Sequence, residues 1–452
     1  MKDKSASIWT RAPGYPLKMG SLTCTETESR FNYDDSFIDK QVAGLSNLYP
    51  VELFGNRTIA FQRRQGFDFH PPIQALIPPD NKDNFQRQLA LSYLKKKGVN
   101  IPVRGIEQDW LLLTTTGHGG IGHIDVFIDD DAANNWYQSS IQHRFFALND
   151  RFGFSLKEFM TWYDAETSAE ILSIIGPTPT VGGAIPKILL SIPETGWDRT
   201  IGLPTRRQTS GTVDIILKLE KNTAYPGIVD LEALALDLHK EAGFITPEYW
   251  IDDIGGIPAI AVSRFDRSTI NTPIPLETVY SVLAIASNKV SNNHSVSYEK
   301  IADLINSSRI NIFSDRKEAK KHLVKRMLLA LLTGNGDLHL ENLSIMQSAG
   351  KNAFSPVYDP TPMRAYSIHN MLTPMPFGQY GEIDEKSPLI NAFYRFTNHL
   401  GMNKNEVMAI LQQIVPVVQT YADRIQQLKR LPDENKQNLI NIHRTIFNQF
   451  FH

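Results

Sequence analysis

The chain has 452 residues, 42% of them hydrophobic and 21% charged, which supplies apolar surface for more than one core and excludes disorder of the whole chain. Lys+Arg total 46 against 48 Asp+Glu, a formal net charge of −2, so bulk charge makes no case for nucleic-acid or membrane binding. A single cysteine, Cys24, excludes an intramolecular disulfide and a cysteine-rich zinc site, and reads as a structural or surface thiol. At roughly 150 residues per domain, the length predicts two or three domains. Met1 to Thr10 lacks an apolar stretch of signal-peptide length, and no run of about 18 apolar residues occurs, so the expectation is a cytoplasmic chain without a membrane span.

In chain order, the region to about Phe127 alternates apolar and polar residues in short runs around Gly20-Ser-Leu, Arg30-Phe-Asn-Tyr-Asp34 and Leu45-Ser-Asn-Leu-Tyr-Pro50, which predicts strands. Asp83 to Lys96 has helical spacing, with Phe85, Leu89 and Tyr93 on one side. Residues 130–175 read as helix and loop, and a glycine cluster at Thr178 to Lys187 leads into the strand-like run Ile188 to Ile192. The polar stretch Gly196 to Gly211, with Arg199, Arg206 and Arg207, reads as a hairpin or long loop. Val213 to Leu219 is a strand, Asp230 to Ala242 a helix stopped by Gly243, and Ile257 to Phe265 a strand again. From Leu276 helices dominate: Ala319 to Leu332, Lys404 to Lys429 and Glu434 to Phe451, with an irregular polar stretch from Gly334 to about Lys386. Lys317, Lys320, Lys321, Lys325 and Arg326 read as the solvated face of a helix. The expected fold class is α+β, mixed first and mostly helical second, with domains at 1–127, 128–268 and 269–452.

Three signals carry chemistry. In Gly334-Asn-Gly-Asp-Leu-His-Leu-Glu-Asn342 an aspartate, Asp337, precedes Asn342 on a loop after a buried helix, and a second aspartate follows in Tyr358-Asp359. Phosphoryl transfer needs one carboxylate to accept the hydroxyl proton and hard oxygen ligands to hold Mg²⁺ against the phosphates. The spacing casts Asp337 as base and Asn342 and Asp359 as metal ligands. Second, Lys218 projects from the strand Val213 to Leu219 on the face opposite its apolar row, and Glu232 on the next helix can hold that ammonium. Third, Val181-Gly182-Gly183-Ala184-Ile185-Pro186-Lys187 precedes a strand, where glycines let backbone N–H groups approach phosphate. Each alone also fits a plain structural role: an Asx-turn, a surface lysine, a glycine-rich turn. Their order along the chain is that of a bilobal kinase.

On these residues the chain resembles the HipA family of toxin serine/threonine kinases over nearly its full length. Gly20-Ser-Leu, Phe31-Asn-Tyr and Leu111 to Gly122 look like the family's N-terminal subdomain, Gly183 to Lys187 like its phosphate loop, and Val262-Ser-Arg-Phe-Asp-Arg267 like its hinge. Gly336 to Asn342 and Tyr358-Asp359 resemble its catalytic and metal loops. The resemblance implies a bilobal, HipA-like fold with a mixed α/β N-terminal lobe, and ATP and Mg²⁺ as cofactors. It implies ATP contacts at Val181 to Lys187, Lys218, Ser263, Arg264, Phe265, His339, Asn342, Tyr358 and Asp359. It also implies a protein substrate among translation proteins, such as an aminoacyl-tRNA synthetase. A HipB-like helix-turn-helix antitoxin is the implied partner, carrying most of any DNA contact.

Three departures stand out. Thr180 sits where members carry an autophosphorylated serine, with Thr178 nearby; Leu231 stands where an asparagine often precedes the helix glutamate; and Pro-Thr, not Phe-Gly, follows Asp359. The motif order alone leaves three readings open: an active toxin kinase, a nucleotide-binding pseudokinase or regulatory module, and a small-molecule or lipid kinase.

Overall fold

The computed structural model describes residues 3–80, 84–138, 145–148, 186–220, 224–380 and 388–451. The fold is α+β, and the chain divides into two compact units: Met1–Lys221 with Glu248–Glu277, and Asn222–Pro247 with Thr278–His452.

The first unit is built on antiparallel sheets. Strands β1 (Lys4–Thr10), β2 (Leu17–Cys24), β3 (Glu28–Tyr33), β4 (Ile59–Gln62) and β5 (Asp125–Phe127) form a five-stranded sheet in the order β4-β3-β2-β1-β5. Their alternation turns Ile8, Leu22 and Phe31 inward, a bulge in β2 buries Met19 as well, and Cys24 is buried with them, its thiol pushed up to about 12 by burial. The helix expected from Asp83 runs Phe85–Lys96, capped by the Asn84 side chain, with Leu89 and Tyr93 buried. Beyond a two-stranded ribbon of β6 (Phe146–Ala147) and β8 (Thr200–Ile201), a second sheet has the order β10-β11-β9-β7. Its strands are β7 (Lys187–Pro193), β9 (Thr212–Leu219), β10 (Tyr249–Ile254) and β11 (Ile257–Ser263). One face of that sheet, with Ile188, Leu190, Ile192, Ile215, Leu217 and Leu219, joins the five-stranded sheet in one hydrophobic core. A short strand, β12 (Leu276–Thr278), spans the sequence boundary between the two units.

The second unit is mostly helical. The helix Ile228–Glu241 ends where Gly243 adopts φ +83°, the left-handed stop that the sequence signals. The helix Arg316–Thr333 is buried on nearly every side in its last three turns, where Val324, Met327, Leu328, Leu331 and Leu332 lie inside. Of its basic residues Arg326 departs from the solvated-face expectation: it is buried and donates to His239 at 2.8 Å. Two further expectations change. Lys404 to Lys429 is not one helix but two, Lys404–Val418 and Tyr421–Gln427. Pro416 has no N–H to bond the preceding turn, and the helix gives way soon after it. The stretch after Gly334 also holds a hairpin, β13 (Ser344–Ser348) and β14 (Lys351–Phe354). Its two-residue turn puts Ala349 at φ +49° and Gly350 at φ +72°, both left-handed as a type I′ turn requires. Alanine there is a weak sequence signal for such a turn.

Among the described residues no helix is long and apolar enough to cross a membrane.

Candidate active site

In the first unit, antiparallel register sets Lys187 of β7 directly opposite Lys218 of β9. Directly opposed residues share a face, so both ammonium groups lie on the side of the sheet away from the core face. Both are buried, at 9% and 4% exposure, with Leu189, Ile216, Ile260 and Val262 on the same face. Like charges placed directly opposite each other repel, so the pair calls for negative charge nearby.

The segment after β11 is held by a buried ionic network. Asp266 accepts from Arg264 at 3.0 and 2.8 Å, from Arg267 at 2.8 Å and from the Gly122 N–H at 2.8 Å. The two guanidinium groups also donate to the Gly120 carbonyl at 2.5 and 2.7 Å. Asp214 on β9 extends the network, accepting from the Thr205 N–H and hydroxyl and lying 3.7 Å from Arg267 Nε. Burial pushes Asp266 up, but Arg264 and Arg267 outweigh it and hold the carboxyl at about 2. Burial and the neighbouring Arg264 bring Arg267 down to about 9. The hinge residues are thereby committed: Ser263 donates its N–H to Glu248 O, Arg264 its N–H to Asp214 O, and the Arg264 side chain faces the network.

In the second unit the loop after Arg316–Thr333 is fixed residue by residue. Gly334 closes the helix at φ +75°. The Asn335 amide accepts from the Asp337 N–H at 2.8 Å and donates to Thr361 O at 2.9 Å, tying the loop to the segment two residues beyond Asp359. Tyr298 donates to Leu338 O at 2.5 Å, and Tyr421 to Thr333 O at 2.7 Å. Asn342 donates to Asp337 O at 2.6 Å, so the two motif residues are one unit of structure. The other end of that amide, Oδ1, is buried and has no hydrogen-bond partner among the described residues. A buried acceptor without a donor is costly, and a hard cation would satisfy it.

The Asp337 carboxylate is 36% exposed, and His339 Nε2 lies 3.7 Å from its Oδ1. His339 Nδ1 accepts from the Glu341 N–H, which leaves the ring proton on Nε2, facing the aspartate. Asp359 adopts φ +46°, an uncommon conformation for a residue with a side chain. Just before it, Tyr358 donates to Glu341 O at 2.5 Å and shares a 2.6 Å bond with Ser344. Asn335 and Tyr358 thus stitch the Asp337–Asn342 loop to the Asp359 loop on both sides. Arg326 is buried nearby; burial lowers it to about 10, opposed by Tyr358, Tyr298 and Asp359. Among the described residues no three His, Cys, Asp or Glu side chains gather as a metal cage. Asn342 and Asp359 offer oxygen donors of the kind that Mg²⁺ takes when phosphates and water supply the rest of its shell. Glu232 is buried on the helix Ile228–Glu241 of this same unit.

Val181, Gly182, Gly183, Ala184 and Ile185, with Thr178 and Thr180, lie outside the described residues. Asn335, Tyr298 and Arg326 were not marked by sequence reasoning. Asn335, in a Gly-Asn-Gly turn beside Asp337, was the one with a readable signal.

Comparisons with known proteins place the chain in a family. The family described as the HipA-like C-terminal domain matches residues 180–421, a span that holds every proposed site residue from Thr180 to Asp359. A Haemophilus influenzae protein named "Putative kinase" is 26% identical over 231 residues, 45% of this chain; the chain spans 64% of that curated relative's length. The solved HipA of Shewanella oneidensis, from its complex with HipB and operator DNA, matches with a TM-score of 0.66 at 18% identity, over 98% of this chain and 96% of that one. That likeness establishes the fold, and the family match, over more than half the residues, establishes membership: this chain belongs to the HipA-like C-terminal domain family.

Proposed function

We propose that the chain is a serine/threonine protein kinase of the HipA type that uses Mg-ATP. The observation that carries this reading is the Asp337–Asn342 arrangement: a half-exposed carboxylate, bonded through its backbone to an amide whose opposite oxygen is buried and unpartnered.

Asp337 orients the acceptor hydroxyl and takes its proton as the hydroxyl oxygen bonds to the γ-phosphorus. The bond from that phosphorus to the β–γ bridging oxygen breaks, and ADP leaves. Asn342 and Asp359 would hold Mg²⁺, which would supply charge neutralisation at the phosphates. Lys218, held by Glu232, and Lys187 with the glycine loop take the phosphates, and Ser263 to Phe265 meet the adenine. His339, with Nε2–H directed at Asp337, fits a contact to the terminal phosphate. Thr180, or failing that Thr178, is the autophosphorylation site. The protein substrate is a translation protein such as an aminoacyl-tRNA synthetase. A HipB-like antitoxin, present in the solved Shewanella complex, is the partner through which DNA is met.

Asp337→Gln tests the mechanism. Transfer of labelled phosphate from ATP to lysate protein should fall by about 10²–10⁴-fold, the usual worth of a general base, while Mg-ATP still raises the melting temperature. Transfer at the wild-type rate overturns the assignment. A wild-type chain that binds Mg-ATP yet labels no protein would support the pseudokinase reading instead.

A further inference from the structure

The segment following Asp359 is pinned firmly and then left open. Met363 donates its N–H to Asn335 O and Arg364 to Gly334 O, both at 3.0 Å. Asn438 and Asn435 hold the carbonyls of Arg364 and Ala365 at 2.7 and 2.9 Å, and Tyr366 donates to Pro226 O. His369 meets the Tyr225 hydroxyl at 2.8 Å. Within this braced stretch, Ile368 is 66% and Met371 57% exposed. Single exposed aliphatic residues are ordinary on a surface. What sets these apart is where the bracing puts them.

Gly336, the residue before Asp337, has φ +64°, and a Cβ built there would lie 2.7 Å from Arg364 Cγ and 2.9 Å from Met371 O. The backbone at Met371 therefore lies against the residue next to the proposed base. Burial raises the Tyr225 hydroxyl, and so does the negative charge of Asp337, which places the Tyr225–His369 pair within that carboxylate's field. Two exposed apolar side chains thus stand on a pinned segment whose backbone packs beside the carboxylate that, on the kinase reading, receives a hydroxyl from another protein.

We infer that Ile368 and Met371 seat an aliphatic side chain of the protein substrate, carried within about three residues of the hydroxyl that receives phosphate. The inference rests on the kinase reading above and assigns its substrate preference. An extended segment advances about 3.3 Å per residue, so a hydroxyl placed at Asp337 brings its near neighbours over this turn. An aliphatic neighbour there buries apolar surface on both partners, whereas a charged one loses part of its hydration against the same two side chains.

The experiment uses the full chain, Mg-ATP and a synthetic library of extended peptides with one fixed serine or threonine and varied flanks, alongside mapping of sites labelled in a lysate. The expected result is at least about a tenfold higher kcat/KM for aliphatic than for Asp or Gly flanks at one position. In Ile368→Ser with Met371→Ser that preference should collapse through a higher peptide KM, with the Mg-ATP thermal shift unchanged. Both residues are exposed, so the variant should fold. Transfer indifferent to flanking residues, lysate sites without an aliphatic neighbour, or an unaltered preference in the variant each overturn the inference while leaving the kinase reading intact. Absence of transfer to any acceptor removes the kinase reading itself, and this inference with it.

Discussion

The two units bury polar groups by opposite means. In the first, the turn after β11 is held by full charges: Asp266 between Arg264 and Arg267, with Asp214 behind. In the second, the loop carrying Asp337 is held by neutral groups, the Asn335 amide and the hydroxyls of Tyr298, Tyr358 and Tyr421. Buried ion pairs fix geometry but make each member indispensable, since loss of one strands its partner in low dielectric. Neutral pins cost less to lose. They also add no charge of their own beside Asp337, which on the proposed mechanism must exchange protons. The turn after β11 is held by ions, and the loop proposed to react is held by neutral groups.

The sharpest way to break this comparison is Asp266→Asn. Two buried guanidinium groups lose their shared counter-charge, and the first unit should lose about 3–5 kcal/mol. The tryptophans among the described residues, Trp9, Trp110, Trp136, Trp197 and Trp250, all lie in that unit, so tryptophan emission reports chiefly on it. The urea midpoint read by emission should drop well below that read by far-ultraviolet circular dichroism, to which the helical second unit contributes most. Coincident midpoints would show that the ionic network is not local to the first unit's stability.

Asn335→Ala is the matching test in the second unit. It strands the Asp337 N–H and the Thr361 carbonyl, for a loss of about 2–3 kcal/mol. Because the same amide ties the base loop to the Asp359 loop, phosphate transfer should fall further than stability alone explains, with kcat more affected than KM. A variant as active as wild type would mean that Asn335 only fills space.

How far each unit was legible follows from the same contrast. The strand Val213 to Leu219 and the helix from Asp230 were readable because their periodicity is local, and Asp337 and Asn342 because they share one short loop. The ionic network was not. Arg264, Asp266 and Arg267 stand together in sequence, but their partners Gly120, Gly122 and Asp214 come from segments far back along the chain. Composition argues against burying such residues at all. Nor could the register that opposes Lys187 to Lys218 be read, since a two-residue slip leaves the same pattern of faces. The β13–β14 hairpin hid behind an Ala-Gly turn where Asn-Gly would have announced it.

The smallest effect, and the one that sharpens the comparison furthest, is with acid. Asp266 titrates at about 2 in the folded chain against an ordinary 3.8, so the folded state binds its proton later than the unfolded one. Its contribution is therefore complete above about pH 4 and is lost as pH falls toward 2, about 2 kcal/mol in all. A separate loss precedes it. Burial lowers His118 and His123 to about 4, so they stay neutral when folded and protonate on unfolding, and stability declines from about pH 6.5 to 4. Below pH 4 that decline is nearly spent, and the carboxylate becomes the main remaining term from these groups. The urea midpoint by tryptophan emission should thus fall between about pH 4 and pH 2.5, and raised salt should leave most of that fall in place, because screening barely reaches a buried pair. A midpoint that holds constant over this interval would mean that Asp266 keeps its charge no more tightly folded than unfolded, and that the first unit is not held by its ions.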